Sequence, residues 1–446
     1  MTILIHNARI INEGESFVGS VLLEDSFIRK IWKGKLTETP RVDRTIEADG
    51  LWLLPGAIDD HVHFRDPGLT YKGDLSSESG AAVAGGVTSF MDMPNTIPQT
   101  TTKEALETKF ELAAEKSHAN YSFWPGGTND NFEFVSQLDL HRTPGIKVFM
   151  GSSTGNMLVD KQTTKEKFFG LTDHIIAIHS EKESIIRHNR EQLIKKYGED
   201  PALSFHPFLR SEEACYTATA EALELATRLN TKLHICHLST ARELTLLNTT
   251  LPLEEKRITA ETCPLYLWFT DADYAQFGHR MKCNPAVKTA ADRAALRQAI
   301  ANDTIDLIAT DHAPHLQKEK QGGCIKAASG APSVQHSLTV LLELAWEKFF
   351  TVEQVVKKMA HAPALRYGID RRGFIREGYF ADLVLVSPNE TTTVGPENVH
   401  YKCGWSPFDG YTFHHVIKET FVNGQSAYAQ GQINKTLKGS ELVFNS

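Results

Sequence analysis

The run Asp59-Asp60-His61-Val62-His63-Phe64-Arg65-Asp66-Pro67-Gly68 closes an apolar segment and places two imidazoles one residue apart. Side chains alternate between faces on a strand, so His61 and His63 point the same way and can grip one metal ion. Arg65, two residues further along that face, adds a planar, permanently charged fork suited to a carboxylate about one side chain from the metal. This proposes a metal-assisted reaction on a small anionic molecule. A chain with 19 histidines contains about 0.8 His-x-His pairs by chance, so two ordinary histidines remain the competing reading until further ligands are found.

The elements around the pair supply them. Over residues 55–364, apolar strand-like runs alternate with helix-like stretches, the pattern of repeated βα units on a parallel sheet. Eight candidate strands end at His61/His63, Asp92, Trp124, Phe149, His179, His237, Glu261 and Asp311, with helices expected over 102–117, 212–229 and 291–301. The fold class this predicts is α/β, a TIM-like (β/α)₈ barrel whose site lies at the carboxyl ends of the strands. Strand one then contributes His61 and His63, strand four Lys147, strand five His179, strand six His237 and strand eight Asp311. Four His and one Asp are the N and O ligands that zinc favours, with manganese or cobalt also allowed by geometry. Taken singly, each is more simply a hydrogen-bonded structural residue; their joint placement at strand ends argues otherwise.

Lys147 is the odd member, because an ammonium cannot ligate. A buried lysine can react with CO₂ to give a carbamate whose two oxygens bridge two cations; a charged strand-end lysine facing solvent or substrate is the alternative. In the bridged arrangement His61, His63, Lys147 and Asp311 hold one ion and Lys147, His179 and His237 the second. The expected cofactor is two Zn²⁺ joined by carboxylated Lys147 and hydroxide, a pair that lowers the pKa of bound water and polarises a carbonyl. Amide hydrolysis follows, with Asp311 as catalytic base and then acid. Asp59 either orients a ligand or is a core-facing Asp with a backbone partner.

With 446 residues and 41% hydrophobic content, the chain suits one large enzyme domain plus a smaller module. Both ends are rich in short strand-like runs, and Asn423-Gly424 is a hairpin turn signal. The termini are therefore expected to pair into a small β-sandwich module, residues 1–54 and 366–446, flanking a barrel over 55–365. A net charge of −8 without long single-sign runs argues against nucleic acid as a partner. Six scattered cysteines without a Cys-x-x-Cys pair read as reduced thiols, and no stretch suits a signal peptide or membrane span, so a soluble cytoplasmic protein is expected.

The motifs together resemble one family. His61-Val62-His63-Phe64-Arg65-Asp66-Pro67-Gly68, Met93-Pro94-Asn95-Thr96, Gly145-Ile146-Lys147-Val148-Phe149, His234-Ile235-Cys236-His237-Leu238-Ser239, Lys282-Cys283-Asn284-Pro285 and Ala309-Thr310-Asp311-His312-Ala313-Pro314-His315 are similar to the signatures of the dihydroorotases, within the amidohydrolase superfamily. The His-x-His and Thr-Asp-His blocks are common to the superfamily, whereas Phe64-Arg65-Asp66-Pro67-Gly68 is more specific. The resemblance implies interconversion of dihydroorotate and N-carbamoyl-L-aspartate in pyrimidine synthesis. It implies that Arg65 and Asn95 hold the substrate carboxylate, that Asn284 and His315 contact the ring or carboxylate, and that backbone around Ser329-Gly330-Ala331 closes on the ring. It also suggests a homodimer. Turn chemistry beside proline is the competing role for Asn95 and Asn284. Relatives often carry a His after Thr-Cys-Pro where this chain has Leu265, which removes no ligand. Residues 316–329, rich in Lys, Gln and Gly, are expected to form a mobile loop over the site. An allantoinase or dihydropyrimidinase with the same metal chemistry, and a non-catalytic barrel scaffold, are the rival readings.

Overall fold

The computed structural model describes residues 1–151, 157–247 and 250–445. Its centre is built on parallel strands β1 (Ala57–Val62), β2 (Val87–Asp92), β3 (Asn120–Phe123), β4 (Ile146–Phe149), β5 (Ile175–His179), β6 (Lys232–Ile235), β7 (Ile258–Thr262) and β8 (Leu307–Ile308). Strands β1 to β3 form one sheet and β4 to β8 a second, each in chain order. Backbone contacts tie the two sheets together at both edges. Beyond β3, Lys147 N donates to Pro125 O at 2.9 Å and Gly127 N to Lys147 O at 2.8 Å; beyond β1, His63 N donates to His312 O at 2.8 Å. Residues of β1 to β5 are buried throughout, so these strands read as apolar runs without alternation, as expected where both faces of a sheet are covered.

Helices are found at Lys103–Lys116, Glu212–Leu229 and Ala290–Ala301. Each begins at a hydroxyl cap: Thr102, Ser211 and Thr289 accept from the backbone N–H of Ala105, Ala214 and Asp292, satisfying donors that the first turn leaves free. Among the described residues no helix is long and apolar enough to cross a membrane.

The two ends of the chain meet in one nine-stranded sheet, where Leu383–Ser387 pairs antiparallel with Trp52–Pro55. Alternation sends neighbouring residues to opposite faces. Leu53, Leu383 and Leu385 join an apolar cluster with Ile3, Ile5, Val21 and Phe421, while Leu54, Val384 and Val386 pack into the large central core. The sheet is thereby fastened to the parallel strands through one face and closed by its own cluster on the other. Its hairpin between Val416–Val422 and Gln425–Ala429 turns at Asn423 (φ 51°) and Gly424 (φ 75°), a turn that needs two left-handed residues. The last residues leave this sheet and return to the centre, where Tyr121 pairs with Glu441 and Ile369 with Phe444.

Candidate active site

The carboxyl ends of the parallel strands bring His61, His63, Lys147, His179, His237 and Asp311 into one cavity of about 1260 Å³, with Arg65, Asn95, Asn284, His315 and Gly330 also on its walls. His63 follows β1 directly, whereas His237 and Asp311 stand two and three residues past β6 and β8. His61 Nε2 and His63 Nε2 lie 3.4 and 3.1 Å from Asp311 Oδ1. His179 Nδ1 faces His237 Nε2 at 3.0 Å, and the rings of His61 and His237 are 5.3 Å apart. Donor atoms around a tetrahedral ion with bonds near 2.0–2.1 Å sit about 3.3 Å apart, so both groups have the spacing of a shared cation. Buried Lys147 lines the same space and donates to Cys236 Sγ at 2.8 Å. The donor set fits a two-ion centre: three acceptor atoms in one group, two in the other, and a buried amine in the same cavity.

Two carboxylates behind the histidines hold their rings. Glu261, at the end of β7, accepts from His61 Nδ1 at 2.6 Å, from His234 Nε2 at 2.9 Å and from His237 N at 3.0 Å. Glu181 accepts from His179 Nε2 at 2.9 Å and from Arg210. With those ring nitrogens donating, His61 Nε2 and His179 Nδ1 are left with lone pairs facing the cavity. Burial, reinforced by Lys147, brings His61 down to about 4; burial also holds His63 and His237 well below the ordinary histidine value. Neutral imidazoles are the form that ligates. Burial works to raise Glu261, but facing His61 and His234 hold it well below the usual carboxylate range, whereas burial leaves Asp311 raised.

The backbone here is unusual. Arg65, His237 and Asp311 adopt φ of 69°, 40° and 48°, conformations that non-glycine residues rarely take and that surrounding bonds must impose. Asp59 supplies some of them. Its carboxylate accepts from Thr310 N at 3.1 Å and Thr310 Oγ1 at 2.6 Å, fixing the turn that presents Asp311. It also accepts from His61 N at 3.3 Å, so its partners are backbone N–H groups and the Thr310 hydroxyl, while the ring of His61 is held by Glu261.

Also on the cavity wall, Arg65 Nε donates to Pro314 O at 3.2 Å and its Nη2 lies 3.2 Å from His315 Nε2. Among the described residues this buried guanidinium forms no ion pair within 4.0 Å. Asn284 Oδ1 is buried without a hydrogen-bond partner among the described residues. Gly330 takes φ 129°, and a Cβ there would meet Ala313 O at 2.7 Å, so only glycine allows this close approach. The stretch over the cavity is tied down more firmly than its composition predicts: Lys320 is fully buried and donates to the carbonyls of Lys282, Ala328 and Gly330 at 2.9, 2.9 and 2.6 Å.

Sequence reasoning assigned no role to Glu261, Glu181, Arg210, Cys236 or Lys72. For Glu261 a signal existed, since it ends a predicted strand as the ligands do. Glu181 follows a ligand by two residues, but its partner Arg210 is 29 positions away.

The chain matches the amidohydrolase family over residues 52–427. It is 33% identical to a dihydroorotase of Methanosarcina acetivorans, covering 99% of this chain and 95% of that protein. It is 29% identical to an allantoinase of Bacillus velezensis, covering 96% of this chain and 94% of that protein. An L-hydantoinase (dihydropyrimidinase) from Arthrobacter aurescens superposes with a TM-score of 0.90 at 25% identity, covering 97% of each chain.

Proposed function

From the membership of this chain in the amidohydrolase family, we propose that it is a hydrolase of one cyclic amide, opening (S)-dihydroorotate to N-carbamoyl-L-aspartate reversibly in pyrimidine synthesis. The scaffold is read as a (β/α)₈ barrel over residues 55–365 carrying a β-module from residues 1–54 and 366–446. Two zinc ions, held by His61, His63, Lys147 as its carbamate and Asp311, and by Lys147, His179 and His237, supply when bound an acidified water and a polarised carbonyl.

The remaining work falls to the chain. Asp311 is partly buried with Oδ1 facing two imidazoles. It takes the proton of the attacking water as the new C–O bond forms, and returns it to the ring nitrogen as the C–N bond breaks. Glu261 and Glu181 keep the histidine rings from turning. Arg65 and Asn95 hold the substrate carboxylate, Asn284 and His315 contact the ring or carboxylate so that the amide lies over Asp311, and Gly330 lets backbone close on the ring.

The observation that carries the choice of substrate is buried Arg65, a guanidinium on the cavity wall without an ion-pair partner among the described residues. A ring carboxylate is the partner it lacks, and dihydroorotate has one where dihydrouracil has none. The likeness to an allantoinase keeps a second reading in play. Purified protein supplied with zinc and bicarbonate, assayed side by side on dihydroorotate, allantoin and dihydrouracil, should give its highest kcat/KM on dihydroorotate. A higher value on either other ring overturns the assignment.

A further inference from the structure

We infer that Lys72 fixes the tautomer of His315, so that His315 Nε2–H and the Arg65 guanidinium present converging donors to the substrate carboxylate. The inference rests on the substrate reading above and adds a positioning residue to it. Lys72 is buried and lines the cavity beside both partners. Its Nζ stands 3.2 Å from His315 Nδ1, while Arg65 Nη2 stands 3.2 Å from His315 Nε2. Both cations can only donate, and a neutral imidazole accepts at one nitrogen only. One of the two contacts is therefore not a hydrogen bond.

The surroundings decide which. Burial and the cations Arg65, Lys72 and Lys320 outweigh a backbone bond to Ser329 and hold His315 well below the ordinary histidine value, so the ring is neutral and carries one N–H. Arg65 already spends Nε on Pro314 O. The nearest side-chain oxygen to Lys72 is Glu319 Oε1 at 3.6 Å, farther than Nδ1. Glu319 Oε2 lies 3.5 Å from Nδ1, farther than Lys72 Nζ at 3.2 Å and outside ordinary hydrogen-bond distance. Nδ1 thus accepts from Lys72, and the proton sits on Nε2. Two donors then stand 3.2 Å apart on one cavity wall, an arrangement that one carboxylate oxygen completes. A ring without a carboxylate gains nothing from it, so Lys72 acts on specificity while touching neither the reacting carbon nor the leaving nitrogen.

The test compares Lys72→Met and Lys72→Arg with the parent protein, in both the parent and His315→Ala backgrounds, on dihydroorotate and dihydrouracil. Lys72→Met should raise KM for dihydroorotate about tenfold, the cost of one weakened charge-assisted bond, with kcat within about twofold and dihydrouracil kinetics unmoved. Lys72→Arg, which still donates, should recover most of the loss, and its recovery guards against a fault in folding. In the His315→Ala background Lys72→Met should add less than about twofold, because the residue it acts through is gone. An unchanged KM in Lys72→Met, or an equal rise in both backgrounds, overturns the inference. Should the parent protein prefer dihydrouracil or allantoin, the substrate reading fails first and the inference with it, a result distinct from a parent that prefers dihydroorotate and a Lys72 variant that is indifferent.

Discussion

Arg65→Met separates recognition of the substrate from chemistry on it. In the free protein the guanidinium is already removed from water, with Nε on Pro314 O and no ion pair among the described residues, so the fold has already met the cost of desolvating it. An arriving carboxylate adds a charge-assisted bond worth about 1.5–3 kcal/mol. At about 1.36 kcal/mol per factor of ten, its loss raises KM for dihydroorotate roughly 10- to 150-fold. Methionine keeps most of the stem volume and removes a buried charge, so the thermal midpoint should hold or rise. An Arg65 that holds the carboxylate equally in substrate and transition state predicts that kcat changes far less than KM. Steady-state kinetics on dihydroorotate and dihydrouracil read this directly: KM rises for the first and stays for the second. An unchanged KM for dihydroorotate, or an equal rise for both rings, refutes the carboxylate assignment.

Lys147→Ala should lose bound metal and activity together, with short carboxylic acids restoring part of both; metal analysis alongside turnover checks it, and native mass spectra of the parent protein lacking a CO₂ adduct count against the bridge. Asp311→Asn should remove turnover by several orders of magnitude while leaving the thermal midpoint within a few degrees, since it keeps the shape of a group acting on protons; retained activity contradicts the shuttle. Away from the site, burial holds His336, whose Nδ1 is bonded to Tyr401 and Ser406, down to about 3. The unfolded chain takes up that proton near pH 6.5, so the stability tied to neutral His336 is full above pH 6.5 and falls by about 1.4 kcal/mol per pH unit toward pH 3. His336→Asn should flatten the dependence of stability on pH between 4 and 6 by one proton, and an unaltered slope argues against it.

What could be read from sequence followed the periodicities. A His-x-His pair needs only strand alternation to face one ion, and apolar runs bounded by turn residues give the strands whether or not their partners are known. The caps Thr102, Ser211 and Thr289 start helices by local chemistry, so those boundaries were legible to within a residue. The residues that escaped depend on contacts between distant segments. Glu261 orders His61 from 200 positions away. Lys320 sits in a stretch whose composition reads as a mobile loop over the site, yet its ammonium donates to three carbonyls, of Lys282, Ala328 and Gly330.

The same distinction explains how the site is built. The candidate ligand types are set one strand at a time, but the aim of these side chains is set by other groups: Glu261 and Glu181 on the rings, Asp59 on the turn before Asp311. Strain in that turn, where Asp311 takes φ 48°, is held in part by the Asp59 carboxylate, which binds Thr310 by both its N–H and its hydroxyl. A bulkier or apolar residue at position 59 should release the turn and loosen the backbone of His61, whose N–H donates to Asp59 Oδ1 at 3.3 Å. The positioning shell therefore constrains the chemistry as tightly as the ligands do, and it is the part that pairwise spacing in a sequence does not encode.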